Sequence, residues 1–249
     1  MRLLILAFSI ALLGCQSKET SQITNADNAN PVTRQLMEDR YNVGILIMDG
    51  VYNTELTAPY DIFQHTQYRD SIKAMNVFTV ANTTAAITTF EGIRMLPDYN
   101  YLSDDLPHID ILVVPSAEHH LDTDLEDVAM LDFVKRTADN ALFVTSHCDG
   151  AFVLAKAGLL DGRTSTTFPT DIDAMREMFP ELDIRKDVLF VHDGKYITSA
   201  GGARSFEAAL YLSELLYGKE VARRLAQGLV IDWNLSEVPH IVIDHSETP

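Results

Sequence analysis

The sequence predicts an α/β fold of three layers, with helices on both faces of a mainly parallel sheet, and two patterns carry this prediction. Nearly continuous apolar runs of strand length recur along the chain, which is typical of strands buried on both faces. Between them lie segments with apolar residues at three- and four-residue spacing, which is typical of helices. Alternating strands and helices favour a parallel sheet. We predict strands at 43–48, 77–80, 109–114, 141–145 and 196–198, and helices at 125–137, 150–160 and 205–217.

The composition is that of a globular protein with a strong acidic bias. The chain has 249 residues, of which 47% are hydrophobic and 22% are charged, enough for a sizeable core in one or two domains. Its 36 acidic and 19 basic residues give a formal net charge of −17. Because such a charge repels polyanions over their whole approach, we expect no nucleic acid partner.

The first residues have the pattern of a secretory signal. Arg2 is followed by an apolar run that reaches Leu13, too short to cross a bilayer. The run ends at Leu12-Leu13-Gly14-Cys15, which resembles a bacterial lipobox, and this resemblance implies cleavage before Cys15 and lipid modification of its thiol. With Gln16 next, the same resemblance implies an outer-membrane anchor facing the periplasm of a bacterial cell envelope. The alternative is a soluble secreted protein with a cysteine near its cleavage site.

The chain therefore divides into three parts. Residues 1–14 form the predicted lipoprotein signal peptide, and residues 15–40 the lipidated cysteine and a disordered tether. The tether is rich in Ser, Thr, Asn, Gln and Asp, with too few apolar residues to offset the entropy of ordering. Residues 41–249 form the predicted folded domain.

Cys148 lies at a junction where a predicted strand meets a predicted helix. In parallel sheets, such junctions are where ligands and catalytic groups gather. A cysteine at this sharp turn, followed by Gly150 and Ala151, predicts a nucleophile elbow. If the helix dipole and backbone amides dominate, the pKa of the thiol falls below its free value of about 8.5. The alternative is an inert, buried cysteine.

Three segments resemble the DJ-1/PfpI superfamily of class I glutamine-amidotransferase-like proteins. They are Thr145-Ser146-His147-Cys148-Asp149-Gly150-Ala151, the stretch Leu56-Thr57-Ala58-Pro59-Tyr60-Asp61-Ile62-Phe63, and the stretch Ser199-Ala200-Gly201-Gly202-Ala203-Arg204-Ser205-Phe206-Glu207-Ala208-Ala209-Leu210. The resemblance covers about residues 43–232. The Leu-Thr-Ala-Pro helix and the stretch 158–163 are more similar to isonitrile hydratases and to sensor domains of some transcription regulators. The resemblance implies a flavodoxin-like fold, a nucleophilic cysteine and a homodimer.

The resemblance also implies that an acidic residue after the first strand reaches the cysteine, and Glu55 falls on that position. A partly desolvated carboxyl group beside a thiolate is readily protonated, so it can donate a hydrogen bond to sulfur or carry a proton. The alternative is that Thr54 or Glu55 caps the helix that follows.

The sequence departs from the family pattern in two places. Members with a histidine partner carry it in a Thr-Thr-His-Pro-like segment, whereas this chain has Thr166-Thr167-Phe168-Pro169 and so lacks that Cys-His pair. Asp149 stands where hydratase-like members often have a hydroxyl residue. Its charge either lies near the sulfur and raises the thiol pKa or caps the helix outward. We take Cys148, Glu55 and Asp149 as the candidate catalytic residues.

Five further residues are candidates for substrate binding. The backbone amides of Ala117 and Asp149 are the expected oxyanion donors in this fold. Gly201 and Gly202 let backbone pass close to the elbow. His147 faces either a neighbouring strand or a dimer surface.

His119 lies near the expected pocket mouth, between Glu118 and His120. Adjacent residues rarely ligate one ion and no spaced third ligand is evident, so we expect no metal site.

These observations favour a membrane-anchored protein of this superfamily that acts on a small electrophile without a cofactor. Cys148 would form a covalent thioester- or thioimidate-like adduct that water then resolves, as in a hydratase or hydrolase of the isonitrile-hydratase kind. One alternative is a non-catalytic ligand- or redox-sensing module. Another is a glyoxalase- or deglycase-like activity.

Overall fold

The computed structural model describes residues 35–245. The predicted signal peptide, Cys15 and most of the predicted tether lie outside the described residues. The last part of the tether is described, and there the backbone of Met37 is held by the Asn76 side chain, through hydrogen bonds of 3.1 and 2.9 Å. The domain therefore begins before the predicted boundary at residue 41.

Within residues 35–245 the chain forms twelve strands and six α-helices. The strands are β1 (Tyr41–Leu46), β2 (Met75–Ala81), β3 (Ile87–Thr88), β4 (Arg94–Met95), β5 (Tyr99–Asn100), β6 (Ile111–Val114), β7 (Phe143–His147), β8 (Thr164–Ser165), β9 (Asp183–Ile184), β10 (Phe190–Asp193), β11 (Tyr196–Ser199) and β12 (His240–Ile243). The helices are α1 (Asn53–Gln64), α2 (Val128–Asn140), α3 (Gly150–Lys156), α4 (Ile172–Met178), α5 (Ser205–Tyr217) and α6 (Lys219–Gly228).

Eight of these strands form the central sheet, in the order β12-β10-β11-β7-β6-β1-β2-β5. All neighbours pair in parallel except β10 and β11, which form an antiparallel hairpin. The predicted mainly parallel sheet and its flavodoxin-like architecture are confirmed. Since β1, β6, β7 and β11 run in the same direction, their carboxyl ends meet at one edge, where the site lies.

Alternating side chains of the strands divide the core into two layers. On β1, Val43 and Ile45 are fully buried in the cluster that contains α1, α5 and α6. Leu46 points the other way, into the cluster built from α2, α3 and α4. Helices therefore cover both faces of each central strand. Because both faces are buried, the sequence of these strands is apolar almost without interruption.

Several element boundaries differ from the predicted ones for local reasons. Helix α2 begins at Val128 instead of residue 125, because the Asp127 carboxylate accepts a hydrogen bond of 3.0 Å from the Met130 amide and so caps the helix. Helix α3 ends at Lys156, where the predicted helix continues to 160. Strand β7 extends to His147 and delivers Cys148 directly at its end.

Within residues 35–245, no helix combines the length and the apolarity needed to span a bilayer.

Candidate active site

Cys148 occupies a strained turn between β7 and α3. Its φ is +52°, a left-handed conformation that side chains other than glycine seldom adopt. The amide of Cys148 donates a 2.9 Å hydrogen bond to the Ser199 carbonyl on β11, and only 6% of the residue is exposed. The predicted nucleophile elbow is confirmed, and the sulfur is a buried thiol.

Two glycines make room for this turn. A Cβ on Gly201 would lie 2.3 Å from the Cys148 Cβ and 2.6 Å from its amide nitrogen. A Cβ on Gly150 would lie 2.1 Å from the Val114 carbonyl oxygen. Only glycine fits at either position, because the neighbouring atoms belong to backbone or to the Cβ that the backbone fixes.

Glu55, in the first turn of α1, is 4% exposed and faces the elbow. Its Oε1 accepts a 2.9 Å hydrogen bond from the Gly202 amide, and Oε2 is buried without a nitrogen or oxygen partner. The pKa of Glu55 rises from 4.5 to about 7, chiefly because of burial, while the hydrogen bond from the Gly202 amide and the nearby Cys148 thiol oppose the rise. The helix-capping alternative is wrong, since Tyr52 is the N-cap residue and the Glu55 carboxyl group accepts its hydrogen bond from Gly202 instead.

Asp149 lies on the other side of the thiol. The thiol of Cys148 donates to Asp149 Oδ2 at 3.5 Å, and Asp149 Oδ1 lies 3.1 Å from the Thr167 hydroxyl. The carboxyl group does not cap α3, so the outward-cap alternative is wrong. The pKa of Asp149 is raised to about 6. Burial is the largest cause of this rise, and the charge of the nearby Asp171 also contributes to it.

The pKa of the Cys148 thiol is raised well above its usual range. Burial is the largest cause, and the charges of Asp149 and Glu55 add to it. The Ser116 side chain and the Asp149 amide act in the opposite direction without compensating. The sequence predicted a lowered thiol pKa on the condition that the helix dipole and backbone amides dominate. In the structure, desolvation and the two carboxyl groups outweigh the amides, so the pKa is raised.

Two of the predicted substrate-binding residues are turned to other partners. The Ala117 amide, a predicted oxyanion donor, already donates a 3.2 Å hydrogen bond to Nδ1 of the buried His120. His119 is exposed, and its Nδ1 lies 3.2 Å from the Asp122 carboxylate. Of the predicted amide pair, only that of Asp149 faces the sulfur in this structure.

His147 faces the neighbouring strand. Its Nδ1 lies 3.0 Å from the Ser199 hydroxyl on β11, and the residue is 1% exposed. Burial lowers its pKa to about 3, so the ring is neutral near pH 7. The dimer-surface alternative for His147 is wrong, because the side chain is enclosed within its own chain.

Sequence reasoning missed Ser116, Tyr52 and Thr167. The Ser116 side chain acts to lower the pKa of the Cys148 thiol. Burial raises the pKa of Tyr52, and the charges of Cys148, Glu55 and Asp149 raise it further. Thr167 lies in the segment Thr166-Thr167-Phe168-Pro169, whose departure from the family pattern is the missing histidine. Its hydroxyl lies 3.0 Å from the Cys148 carbonyl oxygen as well as near Asp149.

A cavity of about 340 Å³ lies beside Thr167. It is lined by Thr166, Thr167, Pro169, Ile172, Lys186, Asp187, Val188, Leu189 and Pro239. Five of these nine residues are apolar, and the others are two threonines, a lysine and an aspartate. Among residues 35–245, no three His, Cys, Asp or Glu side chains form a group suited to a metal ion.

The fold is a three-layer α/β sandwich, and the site is a cysteine at a nucleophile elbow with two buried carboxyl groups beside it. Together they define a class of proteins with a cysteine at the nucleophile elbow. Residues 41–215 match the DJ-1/PfpI family, and the chain belongs to this family.

Three comparisons illustrate its range. The chain is 30% identical to isonitrile hydratase from Pseudomonas putida over 182 residues, covering 73% of this chain and 74% of that enzyme. It is 35% identical to the HTH-type transcriptional regulator CdhR of Pseudomonas aeruginosa over 103 residues, covering 41% of this chain and 30% of the regulator. The crystal structure of Drosophila melanogaster DJ-1beta superposes with a TM-score of 0.66 at 22% identity, covering 78% of this chain and all of that one.

Proposed function

We propose that this protein is a cysteine-dependent hydratase acting on a small electrophile of the isonitrile class, R–N≡C. The observation that carries the proposal is the placement of the Cys148 thiol between two carboxyl groups, those of Asp149 and Glu55, whose pKa values lie near 6 and 7. One can hold a proton while the other accepts one at neutral pH. The similarity to isonitrile hydratase supports the choice of substrate class.

The first step forms the carbon–sulfur bond. Asp149 Oδ2, at 3.5 Å, takes the thiol proton as Cys148 Sγ attacks the terminal carbon of the isonitrile. Protonated Glu55 delivers a proton to the same carbon, giving a thioimidate, R–N=CH–S–Cys148. The general base is needed because the raised thiol pKa leaves almost no free thiolate.

The second step adds water and releases the enzyme. The Glu55 carboxylate takes one proton from water as the oxygen attacks the thioimidate carbon, and the proton on Asp149 passes to the nitrogen. The carbon–sulfur bond then breaks, and the hydroxyl proton returns to sulfur as the carbonyl forms. The product is the N-formamide R–NH–CHO, and both carboxyl groups regain their starting protonation states.

Replacing the nucleophile tests this proposal. We expect Cys148→Ala to lower formamide production from a small alkyl isonitrile by about a thousandfold or more, since nucleophile removal takes away the covalent path. Production is followed by chromatography, and the thioimidate by mass spectrometry of the quenched enzyme. Glu177→Gln, at an exposed position on α4, is the control and should leave formamide production unchanged. Equal turnover by Cys148→Ala would contradict the nucleophile assignment.

A second candidate is a ligand-sensing module without turnover. It is favoured by the raised pKa of the thiol and by the similarity to a transcriptional regulator. A thiol with a raised pKa is a poor target for oxidants, so redox sensing is the weaker form of this candidate. Stoichiometric binding of the isonitrile with no product beyond one equivalent would select the ligand sensor.

We further propose that the protein is anchored to a bacterial membrane through Cys15. The support is the lipobox-like sequence Leu12-Leu13-Gly14-Cys15 after an apolar run. Two or more acyl chains on such a cysteine would anchor the protein stably.

Metabolic labelling tests the anchor. We expect radiolabelled palmitate to be incorporated into the chain when it is expressed in a bacterium, and Cys15→Ala to abolish the label. Cys148→Ala is the matched control, since it removes the other cysteine and leaves the lipobox intact. Label that persists in Cys15→Ala would contradict lipidation at this residue.

A further inference from the structure

Ser199, the last residue of β11, contacts three consecutive residues at the end of β7. Its carbonyl oxygen accepts a 2.9 Å hydrogen bond from the Cys148 amide. Its hydroxyl oxygen lies 3.1 Å from the Ser146 carbonyl oxygen and 3.0 Å from Nδ1 of His147. Ser199 and His147 are also register partners in the parallel pairing of the two strands. One residue therefore fixes the strand end that delivers the nucleophile.

The Ser199 hydroxyl has one proton for two neighbours, and this decides the tautomer of His147. The Ser146 carbonyl oxygen can only accept, whereas each ring nitrogen of a neutral histidine either donates or accepts. Both contacts are hydrogen bonds only if the hydroxyl donates to the carbonyl and His147 Nδ1–H donates to the hydroxyl. The two bonds then form a relay from the imidazole through the hydroxyl to the carbonyl, and all three residues are almost completely buried. Because the neutral ring has a single N–H group, Nε2 carries the lone pair.

The turn beside this relay needs support from its surroundings. Cys148 has φ +52°, and a left-handed residue other than glycine persists only where neighbouring contacts hold it in place. Its amide is held by the Ser199 carbonyl, and its carbonyl oxygen accepts a 3.0 Å hydrogen bond from the Thr167 hydroxyl. Loss of the relay would therefore loosen the residue that holds the Cys148 amide.

We propose that Ser199 and His147 are positioning residues, whose relay holds Cys148 in its left-handed conformation with the sulfur against Asp149. This inference rests on the proposed function and deepens it, since both residues act through Cys148 and neither reacts with the substrate. The sulfur must stay close to Asp149 Oδ2, which is 3.5 Å away and takes the thiol proton. A displacement of the turn by about 1 Å would slow that step.

Nitrogen-15 NMR of the full chain, labelled at its histidines, tests the relay directly. The signals of His147 are assigned by their loss in His147→Asn. We expect the ring proton on Nδ1 in the parent. In Ser199→Ala we expect the population to shift toward the Nε2–H tautomer, because this variant lacks the acceptor of the Nδ1 proton. A parent with the proton on Nε2 would overturn the relay.

Turnover separates positioning from substrate binding. We expect Ser199→Ala and His147→Leu to lower kcat for formamide production by about tenfold, with KM within about twofold of the parent. Ser199→Thr keeps the hydroxyl and His147→Asn keeps a side-chain N–H group, so each should recover most of kcat. The double variant Ser199→Ala with His147→Leu should be no slower than the slower single variant, because both changes break the same relay. Ser165→Ala is the matched control, since it removes an equally buried hydroxyl without a hydrogen-bond partner and should leave kcat unchanged.

Alkylation of Cys148 by iodoacetamide tests the turn without an isonitrile, with the labelled peptide measured by mass spectrometry. We expect about tenfold faster alkylation in Ser199→Ala and His147→Leu, because a released turn exposes the buried sulfur, and the rate of the parent in Ser199→Thr and His147→Asn. Formamide production by the parent, with kcat and alkylation unchanged in Ser199→Ala and His147→Leu, would overturn the relay and leave the hydratase standing. Faster alkylation that the conservative variants reverse, in a parent that makes no formamide, would establish the relay and overturn the hydratase.

Discussion

Gly201→Ala is expected to unfold the domain or to lower its free energy of unfolding by more than about 3 kcal/mol. The new Cβ would lie 2.3, 2.6 and 2.8 Å from the Cβ, amide nitrogen and Cα of Cys148. None of these atoms can move without displacing the elbow, and Gly201 itself has φ +76°, which disfavours alanine. Urea unfolding followed by circular dichroism measures the loss.

Gly202→Ala is the matched control for the Gly201 substitution. Gly202 also has a left-handed backbone, with φ +56°, but a Cβ there meets no atom within 4 Å. We expect a loss of only about 1 kcal/mol, from backbone conformation alone. Similar losses for the two variants would mean that the contact with Cys148 is not what requires glycine at residue 201.

The stabilisation that Glu55 and Asp149 give the domain is expected to fall as the pH rises from 4 to 8. Their folded-state pKa values, about 7 and 6, lie above their ordinary values of 4.5 and 3.8. Each carboxyl group therefore binds more protons in the folded state than in the unfolded state in this window, and its stabilisation, up to about 3 kcal/mol, is complete below about pH 4 and is lost as the pH passes through 7. The buried His120 and His147, whose pKa values fall from 6.5 to about 3, act in the opposite direction, so the carboxyl contribution is measured against a variant that lacks both carboxyl groups.

Removing the two carboxyl groups should remove that contribution. We expect Glu55→Gln with Asp149→Asn to gain stability relative to the parent between pH 5 and pH 8, and to be more stable than the parent at pH 8. Glu177→Gln, at an exposed position on α4, controls for the loss of a carboxylate as such. Urea unfolding at the two pH values provides the measurement. A difference in stability between the double variant and the parent that is the same at pH 5 and pH 8 would contradict the raised pKa values.

Much of the fold could be predicted because its central strands have a strong and uniform pattern of apolar residues. Val43 and Leu46 pack into opposite layers, so apolar residues stand on both faces of β1 and of its neighbours. Short strands such as β8 and β9, two residues each, have too few positions for any period to appear. Boundaries that depend on one contact, such as the start of α2 at the Asp127 cap, were likewise placed a few residues away.

The position of Cys148 was predictable from chain order, because it follows a buried strand and so comes to the carboxyl edge of the sheet. Glu55, in the first turn of α1, was placed beside it by the resemblance to the DJ-1/PfpI superfamily. The thiol pKa was not predictable in the same way, because it depends on how burial, two carboxyl groups and two hydrogen bonds balance in space. The partner of Ala117 was missed for a similar reason, since nothing in Ala117-Glu118-His119-His120 reveals that the His120 ring turns back onto the Ala117 amide.

The left-handed backbone of Cys148 implies a conflict between the stability of the domain and the chemical role of this residue. A left-handed, non-glycine residue costs about 1 kcal/mol or more, and a buried thiol with two acidic neighbours adds an electrostatic cost. Selection for folding alone would place glycine at this turn. A side chain kept there against both preferences marks a residue whose benefit to the organism lies outside the stability of its own domain.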